Sequence, residues 1–285
     1  MGDVKITERT VHIENVFRAK NPRLAAMIPG FVYGYLRRKI HEKEVNAILY
    51  DNRHLEGLDV VRATLETIGP IVSSEGLENI PKGKRAIIAS NHPLGGIDGL
   101  ALMQETAKVR KDIVFPVNDI LLFLPSLKSL FIPINKHGSN NENIQIIHET
   151  FKSDKLVLYF PAGLVSRRQK GGIRDLEWKK TFISKAKQYQ RDVIPVHIVA
   201  RNSNFFYNLA HWRGKLGIKA NIEMLYLADE TFKQKGKKIH IIYGRPIPWQ
   251  TFDKRYNFRI WAEKVKNYSY SIGEGNNEPF DPEKY

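Results

Sequence analysis

A chain of 285 residues with 42% hydrophobic and 26% charged residues can bury a sizeable core, which excludes a globally disordered protein. Cysteine is absent, which excludes disulfides, thiol nucleophiles and thiolate metal sites and fits a reducing compartment. A net charge of +15 predicts attraction to polyanions and leaves an acidic carrier protein, an anionic leaflet and nucleic acid all open.

Residues 1–20 are polar and predict no strong element. Their opening lacks the basic-then-apolar layout of a signal peptide, and Ile6 stands where a myristoylation pattern needs Ser or Thr, so the mature protein is expected to begin about here. Asn21-Pro22 starts a helix that Pro29-Gly30 interrupts, and residues 31–49 carry Val32, Tyr35, Leu36, Ile40, Val45, Ile48 and Leu49 at helical spacing. The pair predicts a basic helical hairpin. Its apolar stripe would cap the core, and Arg37, Arg38 and Lys39 would also suit docking on a membrane surface. A helix over 59–68, a strand at 71–73 and a turn-rich stretch follow.

Residues 87–90, Ile-Ile-Ala-Ser, read as a buried parallel strand, and Asp98 reads as the capped start of a helix reaching about residue 108. His92 and Asp98 then stand together at the C-terminal end of a strand, where open α/β sheets carry their sites. Histidine takes a proton near neutral pH, and a carboxylate fixes its tautomer and stabilises the imidazolium. Gly95 and Gly96 leave room for a ligand and can aim N–H groups at an oxyanion. A simple loop hydrogen bond between His92 and Asp98 is the plainer alternative.

Residues 113–117 predict the next strand. The most apolar stretch, 120–134, is broken by Pro125 and Lys128 and reads as a helical turn followed by a strand at 130–134. Asn135-Lys136-His137-Gly138 comes directly after it. A helix over 140–152 leads to the apolar strand Leu156-Val157-Leu158-Tyr159-Phe160, which runs into Pro161-Ala162-Gly163. Ser166, Arg167 and Arg168 follow, and Arg grips phosphate or carboxylate in bidentate fashion. Gly171-Gly172-Ile173 predicts a mobile turn, and Asp175, Trp178, Lys179 and Lys180 open a helix to about residue 189. In the strand at 193–198, Pro195 favours a strand end, a bulge or an edge. An aromatic, basic helix around 204–212 would cover the sheet or line a ligand channel. Strands at 224–227 and 239–244, a last helix over 257–270 and a fraying tail from 273 complete the chain. The fold class expected is α/β, a mostly parallel central sheet flanked by helices, with a helical region over 1–70 and an α/β domain over 71–285.

The run Asn91-His92-Pro93-Leu94-Gly95-Gly96-Ile97-Asp98-Gly99 resembles the first motif of the glycerolipid acyltransferases, with one residue more between His and Asp than the general pattern has. Phe160-Pro161-Ala162-Gly163 resembles their third motif, with Ala162 where the general pattern has Glu. Ile194-Pro195-Val196 and Gly244-Arg245-Pro246-Ile247 resemble later ones. Both departures are similar to the hemolysin-like branch and to the domains that O-acylate lyso-ornithine lipids. The resemblance spans roughly residues 71–248 and implies transfer of a fatty acyl chain from a thioester, on acyl carrier protein or coenzyme A, to a lysolipid hydroxyl.

In that reading His92 is the general base and Asp98 orients it. Asn91, Gly95, Gly96, Lys136, Gly163, Ser166, Arg167 and Arg168 bind substrate, with Lys136 standing nearest to the basic position of the second motif. No metal and no resident cofactor are implied. The expected partners are acyl carrier protein or acyl-CoA, the lysolipid and an anionic membrane surface. The expected place is the inner face of the cytoplasmic membrane, held peripherally from the cytoplasm. Three competitors remain: a basic lipid-binding relative without catalysis, a thioester hydrolase, and a nucleic-acid-binding protein. Dispersed basic residues and the lack of a recognition motif disfavour the last.

Overall fold

The short apolar runs of the sequence pair into one sheet. The structure, a computed structural model, describes residues 11–117, 125–133 and 141–285. Its strands are β1 (Ile71–Glu75), β2 (Ala86–Ser90), β3 (Ile113–Val117), β4 (Phe131–Pro133), β5 (Leu156–Tyr159), a hairpin of β6 (Arg167–Gln169) and β7 (Gly172–Arg174), β8 (Asp192–Val199) and β9 (Lys238–Tyr243). Seven of them form one sheet in the order β1-β9-β8-β2-β5-β3-β4, parallel at every pairing except β8 with β9. Every residue of β2 is buried. That is the burden of a central parallel strand covered on both faces, and it explains the unbroken apolar run.

Helices cover those faces: α5 (Leu58–Ile68) and α6 (Gly96–Thr106) on one side, α8 (Thr181–Tyr189) and α11 (Phe258–Gly273) on the other. Ile88 packs with Val61, Leu65, Ala101 and Leu102, while its neighbours Ile87 and Ala89 pack with Phe182, Trp261 and Val265. The period of two along β2 thus divides the core into two layers with the C-terminal end of β2 between them. α7 (Asn141–Lys152) precedes β5, and α9 (Asn204–Lys215) and α10 (Leu227–Phe232) follow β8. No helix among the described residues is long and apolar enough to cross a membrane.

Several local expectations are corrected. The described residues 11–51 form four short helices, α1 (Ile13–Lys20), α2 (Pro22–Met27), α3 (Gly30–Lys39) and α4 (Glu42–Asp51), and His41 in a left-handed conformation (φ 51°) breaks the second expected helix. His41 hydrogen-bonds Asp229 at 3.1 Å and stacks on Phe232. Residues expected as a strand at 224–227 instead form a 3-10 turn leading into α10. The expected turn at 171–173 lies within the β6–β7 hairpin, and α8 begins at Thr181, well after Asp175.

Pro195 sits inside β8, opposite Ala89 of β2. The ladder to β9 starts at Val196, so the missing donor falls at that ladder's end while the Pro195 carbonyl accepts from Gly244 N–H at 2.8 Å. The tail is docked rather than frayed: Phe280 and Tyr285 pack on Tyr268, and Lys264 donates to the carbonyls of Pro282 and Tyr285.

Candidate active site

At the end of β2 the chain must turn sharply into α6. Asp98, in the first turn of α6 and fully buried, makes the turn by accepting the N–H of Leu94 at 2.8 Å and of Gly95 at 3.2 Å on one oxygen. Gly95 has φ 114°, and a Cβ there would meet the Leu227 side chain at 3.3 Å, so glycine is required. The same carboxylate faces the ring of His92, with Nδ1 at 3.1 Å from both oxygens. A carboxylate can only accept here, so Nδ1 carries a proton and, in the neutral ring, Nε2 keeps its lone pair. The ring lies on Phe160 from the end of β5, centroids 4.1 Å apart and planes 19° apart, and 17% of its side chain is exposed.

A second segment, running from β5 through the β6–β7 hairpin to α8, holds the main chain of His92. Ser166 donates its N–H to the His92 carbonyl at 2.8 Å, and its hydroxyl oxygen stands 3.2 Å from the same carbonyl. Asp175, fully buried, accepts the His92 N–H at 3.2 Å, the Ser166 hydroxyl at 2.6 Å and the Trp178 indole N–H at 2.9 Å. Its own N–H donates to the Tyr270 hydroxyl at 2.7 Å. Asn202 adds a third anchor, donating to the carbonyls of Pro93 and Leu94 at 3.2 Å.

Burial pulls the His92 imidazole down, but the charge and hydrogen bond of Asp98 and the charge of Asp175 outweigh it. They hold the imidazole above its ordinary value, against a smaller opposing push from Arg167. Burial raises the Asp175 carboxyl, partly offset by the hydrogen bonds of Ser166, Trp178 and the His92 main chain.

Other site expectations change role. The amide of Asn91 bonds the main chain of Ile198 in β8, donating to its carbonyl (3.0 Å) and accepting its N–H (2.6 Å), so Asn91 ties β2 to β8. The N–H of Gly95 belongs to Asp98, and that of Gly163 closes a turn on the Phe160 carbonyl at 3.0 Å. Neither is free for an oxyanion. Gly96 is the first residue of α6, at the positive end of that helix.

Arg167 is buried and pairs with Glu223 (2.9 Å), which also faces Arg213 (2.8 Å), so its guanidinium bonds inside the protein rather than presenting itself to a ligand. Arg168 is exposed and donates to Asn208 at 3.1 Å. Lys136 lies outside the described residues. The sequence reading missed Asp175 and Phe160 as parts of the site. Asp175 had no motif around it, whereas Phe160 stood at the end of a strand already singled out.

A base, its orienting carboxylate and a braced loop fit proton removal from a hydroxyl. A family model described as Acyltransferase matches residues 15–276. The chain belongs to this acyltransferase family. It is 45% identical over 264 residues to a lyso-glycine lipid O-acyltransferase of Bacteroides thetaiotaomicron, covering 92% of this chain and 97% of that one. A protein of the same description from Phocaeicola vulgatus is 44% identical over 264 residues, 92% of this chain and 95% of its own length. Superposition on the crystal structure of the 1-acyl-sn-glycerophosphate acyltransferase of Thermotoga maritima gives a TM-score of 0.47 at 16% identity, over 86% of this chain and 97% of that one. The His92–Asp98 pair has the geometry of an imidazole oriented by a buried carboxylate.

Proposed function

We propose that this acyltransferase moves a fatty acyl chain from a thioester, on acyl carrier protein or coenzyme A, to the hydroxyl of a lysolipid held at a membrane surface. The observation that carries the reading is His92, whose Nδ1 is held by Asp98 while Nε2 is left as the proton acceptor. The acceptor hydroxyl gives its proton to Nε2 as its oxygen forms a bond to the thioester carbonyl carbon. The resulting oxyanion collapses, the C–S bond breaks, and the thiolate leaves with the proton that His92 returns. The product is an ester and a free thiol. Asp98 stabilises the imidazolium between the two transfers, as the carboxylate of a hydrolase triad does, but here the nucleophile belongs to the substrate.

The printed names of the two bacterial relatives support a glycine-headed lysolipid as acceptor. The test is acyl transfer by the purified protein from acyl carrier protein and coenzyme A thioesters to lyso-glycine lipid, lyso-ornithine lipid and lysophosphatidic acid. The expected result is transfer to lyso-glycine lipid, reduced at least about a hundredfold by His92→Ala. Equal rates in both proteins would remove His92 from the chemistry, and thioester loss that needs no acceptor would make the protein a hydrolase.

A further inference from the structure

The inner side of α9 carries Phe206, Tyr207 and Ala210, buried against Val165 and neighbouring residues. Its outer side carries Phe205, Leu209 and Trp212, and the capping residue Leu216 continues the i, i+4, i+7, i+11 spacing of one helix face. Trp212 is 58% exposed, Leu216 72% and Phe205 50%, and Ile218 in the following turn is also exposed. The stripe does not stop at the helix. The Phe205 ring meets Tyr226 edge-on at 5.1 Å, the Tyr226 hydroxyl hydrogen-bonds that of Tyr35 at 2.9 Å, and one helical turn before Tyr35 stands Phe31, 79% exposed. An aromatic ridge, linked through the Tyr35–Tyr226 hydroxyl pair, therefore joins α3 to α9, two helices far apart in the chain.

Along the α9 part of the ridge the charge has one sign. Residues 201–222 contain no Asp or Glu but include Arg201, Arg213, Lys215 and Lys219. The next acid, Glu223, is buried between Arg167 and Arg213. Lys215 reaches over the Trp212 ring, its Nζ 5.0 Å from the centroid, and Lys219 is exposed. Exposed Trp and Leu flanked by lysines, without acids, match an anionic bilayer interface. There the aromatic ring sits at headgroup depth and the ammonium groups meet lipid phosphates. The ridge is also attached to the site: α9 packs beside the β6 strand, Asn208 holds Arg168, and Leu227 lies against Gly95 of the His92 loop.

We propose that the Phe205–Trp212–Leu216–Ile218 ridge, continued by Phe31, seats this protein on an anionic bilayer and so brings the His92 site to lipid level. This rests on the reading that the acceptor is a bilayer lipid, but vesicle binding is measured without turnover, so the two can fail separately. Full-length protein is mixed with phosphatidylglycerol–phosphatidylcholine vesicles whose acyl tails are brominated, and with phosphatidylcholine vesicles alone. Trp178 and Trp261 are fully buried and the half-buried Trp249 stands beside α8 with Lys187 over its ring, so quenching of tryptophan fluorescence on the anionic vesicles should fall most in Trp212→Phe. The double variant Lys215→Glu, Leu216→Asp should lower partition onto anionic vesicles at least about tenfold. It should leave transfer to a short-chain, monomeric lysolipid within about twofold of the native rate while transfer to vesicle-borne lysolipid falls with partition.

Partition of the double variant equal to native, or quenching unchanged by Trp212→Phe, would overturn the proposal. So would a concentration-dependent dimer in light scattering that the double variant abolishes, because the ridge would then cover a second copy. Absence of acyl transfer alongside normal anionic-vesicle binding would count against the proposed reaction and support the docking surface.

Discussion

The loop after β2 and the segment after β5 both end on His92, yet they hold it by different means. The first supplies Asp98, whose carboxylate faces the imidazole itself at 3.1 Å. The second supplies Asp175 and Ser166, which bond the main-chain N–H and carbonyl of the same residue. Both carboxylates are fully buried. One sets the ring's charge and tautomer and the other sets where the ring stands, so burial alone does not tell which acid is chemical.

Substitutions that keep shape but remove charge separate the two. Asp98→Asn should have the larger effect, a fall in kcat/KM of about a hundredfold or more with the fold retained, because Asn can still accept from Leu94 and Gly95. It should also move the acidic limb of the pH profile. His92 is held above its ordinary value of 6.5, so the neutral, active base is lost as pH falls through a value above 6.5. Removing the Asp98 charge leaves burial as the dominant influence, and the limb should shift to lower pH. A limb that stays in place would mean that His92 is not the titrating base.

Asp175→Asn should lose stability before chemistry. An amide cannot receive the His92 N–H, the Ser166 hydroxyl and the Trp178 indole in their present directions, and the mismatch is expected to cost about 2–4 kcal/mol in urea unfolding. Activity measured where the variant is folded should fall about tenfold, with a smaller shift of the acidic limb than Asp98→Asn produces. A larger limb shift from Asp175→Asn than from Asp98→Asn would invert the comparison. The smallest effect belongs to Ser166→Ala: about 1 kcal/mol of stability and a few-fold in kcat, since the Ser166 main-chain N–H still holds the His92 carbonyl.

The sequence was most legible where local pattern and burial coincide. β2, β5, β8 and the helix carrying Asp98 were visible because apolar runs end at turn residues, and the His92–Asp98 pair lies within a single turn, so its spacing is a local fact. Asp175 was not legible in that way. It sits 83 residues from His92 and reaches it only because β2 and β5 are neighbours in the sheet. Arg167 misled for the reason that made it attractive. An Arg beside a motif suggests a phosphate grip, but Glu223 had to be placed beside it to show that the guanidinium is already paired. The strand expected at 224–227 became a helical turn because that segment packs on α9 and presents Tyr226 to Tyr35 and Phe205, a tertiary demand that overrides short-range β preference.

The sequence by itself determined the α/β class, the parallel core strands, the turn at Gly95 and the pairing of His92 with Asp98. These follow from hydrophobic period and from contacts a few residues apart. The tertiary structure decided which polar groups remain free to act. It committed Asn91, Gly163 and Arg167 to internal partners and brought Asp175 under His92. It also joined α3 to α9 into one exposed ridge, because these outcomes depend on which distant segments the sheet order makes neighbours.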